Sequence, residues 1–238
     1  MNSNKLARHK NVQEIARDTM KFLESFIEEG IAEKEIAAAA EKYMKERGIN
    51  SFWYHGVGAF VFVRERTALS ISGREYAPSQ AKVEADDLVT VDLSPEIDGF
   101  WGDFARTFVV SKGKVVGTES EELGGSPAEF IEGVKTEEIL HREFQKMISE
   151  GMAFEEAYQR INSLINELDY ENLDFKKNLG HSIEKKKDNR IYIEAGSKKI
   201  FKDINLFTFE PHIRKKGGKY GFKREDIYYF KNGKINIL

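Results

Sequence analysis

Cysteine is absent from the 238 residues. Its absence excludes disulfides, thiolate nucleophiles and cysteine-based zinc sites, and leaves oxygen and imidazole groups as the ligands for any metal ion. The chain also lacks an excess of one charge: 37 Lys and Arg stand against 40 Asp and Glu, for a net charge of -3. With the basic residues scattered among the acids, neither a nucleic-acid surface nor a membrane surface is expected. No apolar run reaches membrane-spanning length, and the opening Met1-Asn2-Ser3-Asn4-Lys5-Leu6-Ala7-Arg8 has no apolar core for a signal peptide. A cytoplasmic protein is expected. What is present is 40% apolar and 12% aromatic content, enough to bury a substantial core in one large domain spanning residues 1–238.

The most informative segment is Val89-Thr90-Val91-Asp92-Leu93-Ser94-Pro95-Glu96-Ile97-Asp98-Gly99-Phe100-Trp101-Gly102-Asp103. Asp98-Gly99 between two strand-forming runs predicts a two-residue hairpin that pairs Ile97 with Phe100, so that paired positions sum to 197. Asp103 then falls opposite Ser94. Alternation along each strand places Asp92, Ser94 and Asp103 on one face, with the two aspartates diagonal neighbours roughly 7 to 8 Å apart. Unpaired charges in an apolar strand pair are costly. A cation, with a metal ion the leading candidate, is therefore expected between them.

Periodicity predicts a helix over 10–29 stopped by Gly30, and a second over 33–47 ending at Gly48. Strands are expected over 52–63, 69–71 and 88–110, and an exposed loop over 116–125. The order then repeats. Ser126-Pro127-Ala128-Glu129 has the form of a capping box opening a third helix that Gly151 should end, and a fourth helix is expected over 154–168. Strands follow over 191–194, 206–213 and 220–230, with a tight turn at Lys231-Asn232-Gly233-Lys234. Two helix-helix-sheet halves, about 1–115 and 126–238, predict an α+β fold with sheets lining a central cleft.

The second half supplies further acids and an imidazole: His181 in Gly180-His181-Ser182, Glu210 in Phe209-Glu210-Pro211, and Glu225 in Arg224-Glu225-Asp226. Together with Asp92 and Asp103 they form an oxygen-rich set with one imidazole, suited to a pair of Mn, Co, Fe or Zn ions.

In its order of motifs (Asp, a second Asp, Gly-His, Phe-Glu-Pro, Arg-Glu-Asp) the chain resembles the pita-bread metallopeptidases, the family of methionine aminopeptidase, prolidase and aminopeptidase P. The resemblance covers nearly the whole chain. It implies the pita-bread fold and two divalent metal ions, manganese first and cobalt, iron or zinc as alternatives. Asp92 would bind one ion, Asp103 and Glu225 would bridge both, and His181 and Glu210 would hold the second. Arg224-Glu225-Asp226 is closer to the prolidase and aminopeptidase P branch, which implies an exopeptidase for short peptides of the Xaa-Pro type, either aminopeptidase or dipeptidase. In that scheme a water bridging the ions attacks the peptide carbonyl, and Glu210 is also the proton acceptor. A homodimer is compatible with the family, and no separate N-terminal domain is expected.

Two departures from the family accompany the match. The stretch Arg66-Thr67-Ala68-Leu69-Ser70-Ile71-Ser72-Gly73 has no histidine where active members usually carry one, and Asp188 stands where a second is expected. His212, two residues after Glu210 on one predicted strand, and His55, in Trp53-Tyr54-His55-Gly56, are the candidate catalytic stand-ins. The basic runs at 185–187 and 214–219 are candidate grips for a substrate carboxylate. The alternative function is a family member that binds a peptide, protein or small molecule without efficient hydrolysis.

Overall fold

The computed structural model describes residues 2–238. Helix α1 (Ser3–Phe26) starts earlier than its periodicity suggests, because the Asn2 side chain accepts from the Lys5 amide at 2.9 Å and caps it. It ends at Phe26, where Ile27 turns extended; Gly30, at φ +90°, shapes the link to α2 (Glu33–Glu46) and does not terminate a helix. The Glu35 side chain accepts from the Ala32 amide at 2.9 Å and so satisfies one of the free donors at the start of α2.

The first half continues through β1 (Ser51–Phe52), β2 (Ala59–Val63), β3 (Asp87–Leu93), β4 (Pro95–Ile97), β5 (Phe100–Trp101), β6 (Phe104–Ser111) and β7 (Lys114–Gly117). Strands β2, β3, β6 and β7 form one antiparallel sheet in the order β2-β3-β6-β7, while β1, β4 and β5 form a smaller one. The two helices bury Val12, Ile15, Ala16, Leu23, Ile36 and Ala40 among the inward side chains of the larger sheet. Residues 69–71 form no strand; the preceding 64–68 wind into a 3-10 turn. The 116–125 segment is not a plain exposed loop either, since it finishes β7, makes a 3-10 turn at 120–122 and buries Leu123 completely.

In the second half, α3 (Ala128–Met147) and α4 (Phe154–Glu167) lead to β8 (Tyr170–Asn172), β9 (Phe207–Phe209), β10 (His212–Lys215), β11 (Gly221–Lys223), β12 (Asp226–Lys231) and β13 (Lys234–Ile237). The capping box does not form: Pro127 takes the cap position and the buried Ser126 hydroxyl has no partner. Helix α3 also ends at Met147, short of Gly151. No strand covers 191–194, where Tyr192 makes a single bridge to His181.

Both longer strands expected in this half are interrupted. Pro211 has no N–H to give a ladder, and the chain passes from β9, in the sheet β13-β12-β9, to β10, in the sheet β11-β10-β8. The same change of sheet happens between β11 and β12. Glu210 and Glu225 sit at these two breaks. The halves are stitched along β6 and β11: Ala105 bridges Glu225, and the Lys223 amide donates to Thr107 Oγ1 at 2.8 Å. A third apolar cluster, including Trp53, Trp101, Ile183 and Ile227, draws on both halves and reaches the cleft through Trp53.

Candidate metal centre

The hairpin forms with the expected register. Asp98 and Gly99 take φ of 51° and 78°, the left-handed pair that a type I′ turn needs, and Ile97 pairs with Phe100. The same register returns beyond the break at Gly102 and Asp103, pairing Leu93 with Phe104 and Asp92 with Ala105. Asp92, Ser94 and Asp103 all line the cleft, as alternation requires.

Asp103, His181 and Glu225 come together, each offering a ligand atom within 4.8 Å of the others, and all three are buried. Each is held by its backbone. Gln13 of α1 is fully buried and clamps Asp103, its Nε2 donating to the Asp103 carbonyl at 2.7 Å and its Oε1 accepting the Asp103 amide at 3.0 Å. The His181 amide donates to Thr208 Oγ1 at 3.0 Å, and the Thr208 amide donates to the His181 carbonyl at 2.8 Å. The Glu225 amide donates to the Ala105 carbonyl at 3.0 Å, and Arg106 donates to the Glu225 carbonyl at 2.8 Å.

The imidazole is oriented as a ligand. His181 Nδ1 lies 3.2 Å from the Ser182 carbonyl, which can only accept, so the proton belongs on Nδ1. Nε2 then points its lone pair toward Asp103 Oδ2 at 3.4 Å and Glu210 Oε1 at 3.6 Å. Burial lowers the His181 pKa to about 4, which keeps the ring neutral.

The acids are strained electrostatically. Burial, reinforced by the charge of Asp92, raises Asp103 well above the usual carboxyl range, and burial together with Asp103 and Glu210 does the same to Glu225. Both Glu225 oxygens are buried without a hydrogen-bond donor. Buried, orphaned carboxylate oxygens facing a second acid and an imidazole lone pair fit one divalent cation.

The remaining two expected ligands have a different neighbour. Lys223 Nζ lies 2.5 Å from Asp92 Oδ2 and 3.5 Å from Glu210 Oε2. Desolvation lowers the Lys223 pKa, but Asp92, Glu210 and Glu225 outweigh it and raise the pKa well above its ordinary value. All five expected ligands therefore surround one locus, three of them open to an ion and two gathered around an ammonium.

The two stand-in histidines take other roles. His212 does line the cleft, but Pro211 separates it from Glu210, so the two share no continuous strand. Its Nε2 donates to the Thr67 carbonyl at 2.7 Å, and burial, then Lys223, lowers its pKa to about 4. The neutral ring has no second proton to offer a developing oxyanion. His55 is exposed in a left-handed turn and does not line the cleft itself, but an adjoining depression with Lys186, Lys187 and Asp188 that shares Trp53, Tyr54 and Arg190 with it. The segment lacking the family's histidine does face the cleft, through Thr67, Leu69, Ser70 and Ile71.

Three members of the basic runs are engaged elsewhere. Lys187 pairs with Glu96, Arg214 with Glu171 and Lys215 with Glu132. Arg190, which no motif singles out, does line the cleft, stacked over Trp53 at 4.7 Å and near Tyr54 and Tyr192. Gln13, Thr208 and Lys223 were equally hidden.

The comparisons with known proteins agree with this geometry. Residues 7–232 match the model of metallopeptidase family M24. No curated protein matches the sequence. Among solved structures, a prolidase from Thermococcus sibiricus superposes with a TM-score of 0.80 at 24% identity, covering 99% of this chain and 59% of the prolidase. The X-Pro aminopeptidase of Thermotoga maritima gives 0.80 at 20% identity, covering 100% of this chain and 61% of that enzyme. The methionine aminopeptidase of Rickettsia prowazekii gives 0.77 at 13% identity, covering 100% of this chain and 97% of that enzyme. The chain thus spans about three fifths of the length of the two Xaa-Pro enzymes. No helix among the described residues is long and apolar enough to cross a membrane. With paired helices and antiparallel sheets in each half, and a buried carboxylate-imidazole group able to hold a metal, this pita-bread chain belongs to metallopeptidase family M24.

Proposed function

We propose that the chain is a metal-dependent exopeptidase for short peptides, of the Xaa-Pro aminopeptidase or dipeptidase type, with manganese its first expected metal. The convergence of Asp103, His181 and Glu225 within 4.8 Å, beside the cleft that Asp103 and His181 line, is the observation that carries this reading. A divalent ion held there would polarise a scissile carbonyl and acidify a water molecule.

The chain's own groups would do the rest. Glu210, raised by burial and fixed through Thr208 Oγ1 at 3.3 Å, is suited to take a proton from water and pass it to the leaving amine. Phe60, Phe62, Leu69, Ile71 and Phe175 form apolar walls on which a prolyl ring would pack while excluding water. Arg190 donates Nε to the Lys187 carbonyl at 2.8 Å, and its two terminal guanidinium nitrogens have no hydrogen-bond partner among the described residues. It would receive the free carboxylate of a short peptide.

Binding without efficient hydrolysis is the second reading. The ammonium between Asp92 and Glu210 and the committed proton of His212 favour it. The deciding experiment measures bound metal and then turnover of Xaa-Pro dipeptides, Xaa-Pro-Yaa tripeptides and Met-initiated peptides with Mn, Co, Fe and Zn added separately. Turnover lost in both Asp103→Asn and Glu210→Gln supports the enzyme. Stoichiometric metal without turnover of any substrate supports the binder, and no metal at all removes the metal-dependent exopeptidase.

A further inference from the structure

Lys223 is built into the centre. Its backbone is fixed on two sides: it pairs with His212 across β10 and β11, and its amide donates to Thr107 Oγ1 at 2.8 Å. Thr107 Oγ1 also lies 3.1 Å from the Lys223 carbonyl, so the strand cannot shift without losing both contacts. The side chain is 18% exposed and ends between Asp92 Oδ2 at 2.5 Å and Glu210 Oε2 at 3.5 Å. A surface lysine would give up much rotamer freedom to settle there. This one has its backbone fixed against β6 and β10.

Charge bookkeeping explains the arrangement. Asp92, Asp103, Glu210 and Glu225 crowd one partly closed space, and four carboxylates need compensating positive charge. An ammonium satisfies carboxylates through N–H donors at ordinary hydrogen-bond distance, whereas a divalent ion needs oxygens at roughly 2.0 to 2.2 Å. An ion bound to Asp92 would lie almost against Nζ, and two cations in contact within a poorly solvated cleft repel strongly. Nζ already takes Asp92 Oδ2 and reaches Glu210 Oε2, so an ion on the other Asp92 oxygen would stand beside an ammonium.

We propose that Lys223 replaces one of the two metal ions: the chain binds a single divalent ion at Asp103, His181 and Glu225, while the ammonium spans Asp92 and Glu210 as a covalently tethered second cation. This inference rests on the metal-centre reading above and alters its stoichiometry. Asp92 becomes the partner of Lys223, and Glu210 is left free of one metal bond. A tethered cation cannot be removed by chelators or diluted away, so the loaded state would depend on the concentration of one ion only.

The test uses the full chain, stripped with a chelator and titrated with manganese chloride by calorimetry, with bound metal counted by mass spectrometry. Lys223→Met keeps the aliphatic stem and removes the charge. One ion per chain in the wild type and two in Lys223→Met are expected. The electron paramagnetic resonance spectrum of the saturated wild type should show isolated Mn²⁺, without the exchange coupling of a close pair. Two ions in the wild type, or a coupled spectrum, would overturn the inference while sparing the metallopeptidase reading. A single ion in a folded Lys223→Met would overturn it as well. If that variant does not fold, Asp92→Asn serves: manganese affinity unchanged within about threefold supports the tether, and a loss of a hundredfold or more marks Asp92 as a direct ligand. No binding in any variant would fail both this inference and the function on which it rests.

Discussion

Gln13 holds Asp103 by both backbone groups, its amide nitrogen 2.7 Å from the Asp103 carbonyl and its amide oxygen 3.0 Å from the Asp103 N–H. The first helix therefore fixes the position of a carboxylate 90 residues away in sequence. Gly102 makes the clamp feasible, because a Cβ there would come within 2.7 Å of Gln13 Oε1. Gln13→Ala would leave a buried amide and carbonyl unpaired and should cost roughly 2 to 4 kcal/mol of stability. It should also weaken manganese binding roughly tenfold or more, as loss of a ligand's orienting partner does. Urea unfolding and metal titration of the variant would check both numbers.

Arg190 is stacked on aromatic rings at the cleft, with donors to spare. Arg190→Gln should raise KM for dipeptides roughly tenfold, corresponding to loss of one partly exposed charge-assisted hydrogen bond. Peptides with an amidated C-terminus should show little change. Equal losses on acid and amide substrates would remove Arg190 from carboxylate recognition.

Gly180, just before His181, has φ +145°, and a Cβ there would lie 2.3 Å from the Thr208 carbonyl oxygen. That close approach lets Thr208 hold His181 through both amide and hydroxyl. Gly180→Ala should cost more than about 3 kcal/mol, because backbone must move to admit the methyl group. Gly196→Ala, with φ +80° and open space around it, should cost only about 1 kcal/mol. Thermal unfolding of the two variants side by side would separate packing from backbone strain.

His141 sits behind the centre. Its Nε2 donates to the Arg224 carbonyl at 3.1 Å and its Nδ1 accepts from the Tyr228 hydroxyl at 2.8 Å, which steadies the backbone just before Glu225. Burial depresses its pKa to about 3, from the ordinary histidine value near 6.5. Below pH 6.5 the unfolded chain therefore takes up a proton that the folded chain refuses, and stability falls as the pH drops. Relative to His141→Gln, the wild type should lose about 2 kcal/mol between pH 7.5 and pH 5. Denaturant midpoints of the two proteins across that range would show it; parallel curves would contradict the buried neutral ring.

Much of the centre could be read along the chain because turns and alternation are local. Asp98-Gly99 selects a left-handed turn, the turn sets the register, and the register puts Asp92 and Asp103 on one face. Helices α2 and α4 fall within a residue of their expected limits, since their apolar stripes need only the period of the helix. Where tertiary contacts compete, sequence patterns mislead: Ser126 resembles a cap, yet Pro127 takes the position. A continuous strand through Glu210 or Glu225 would fit the local pattern, but the chain changes sheets at each.

The sequence by itself determined which side chains are suited to hold a cation and, within the hairpin, which face they share. Only the tertiary structure decided which of them meet. The bridge between Ala105 and Glu225, the hold of Thr208 on His181 and the reach of Lys223 to Asp92 all join segments distant in the chain. Their positions follow from helices and sheets packing across two halves, and no local spacing encodes that packing.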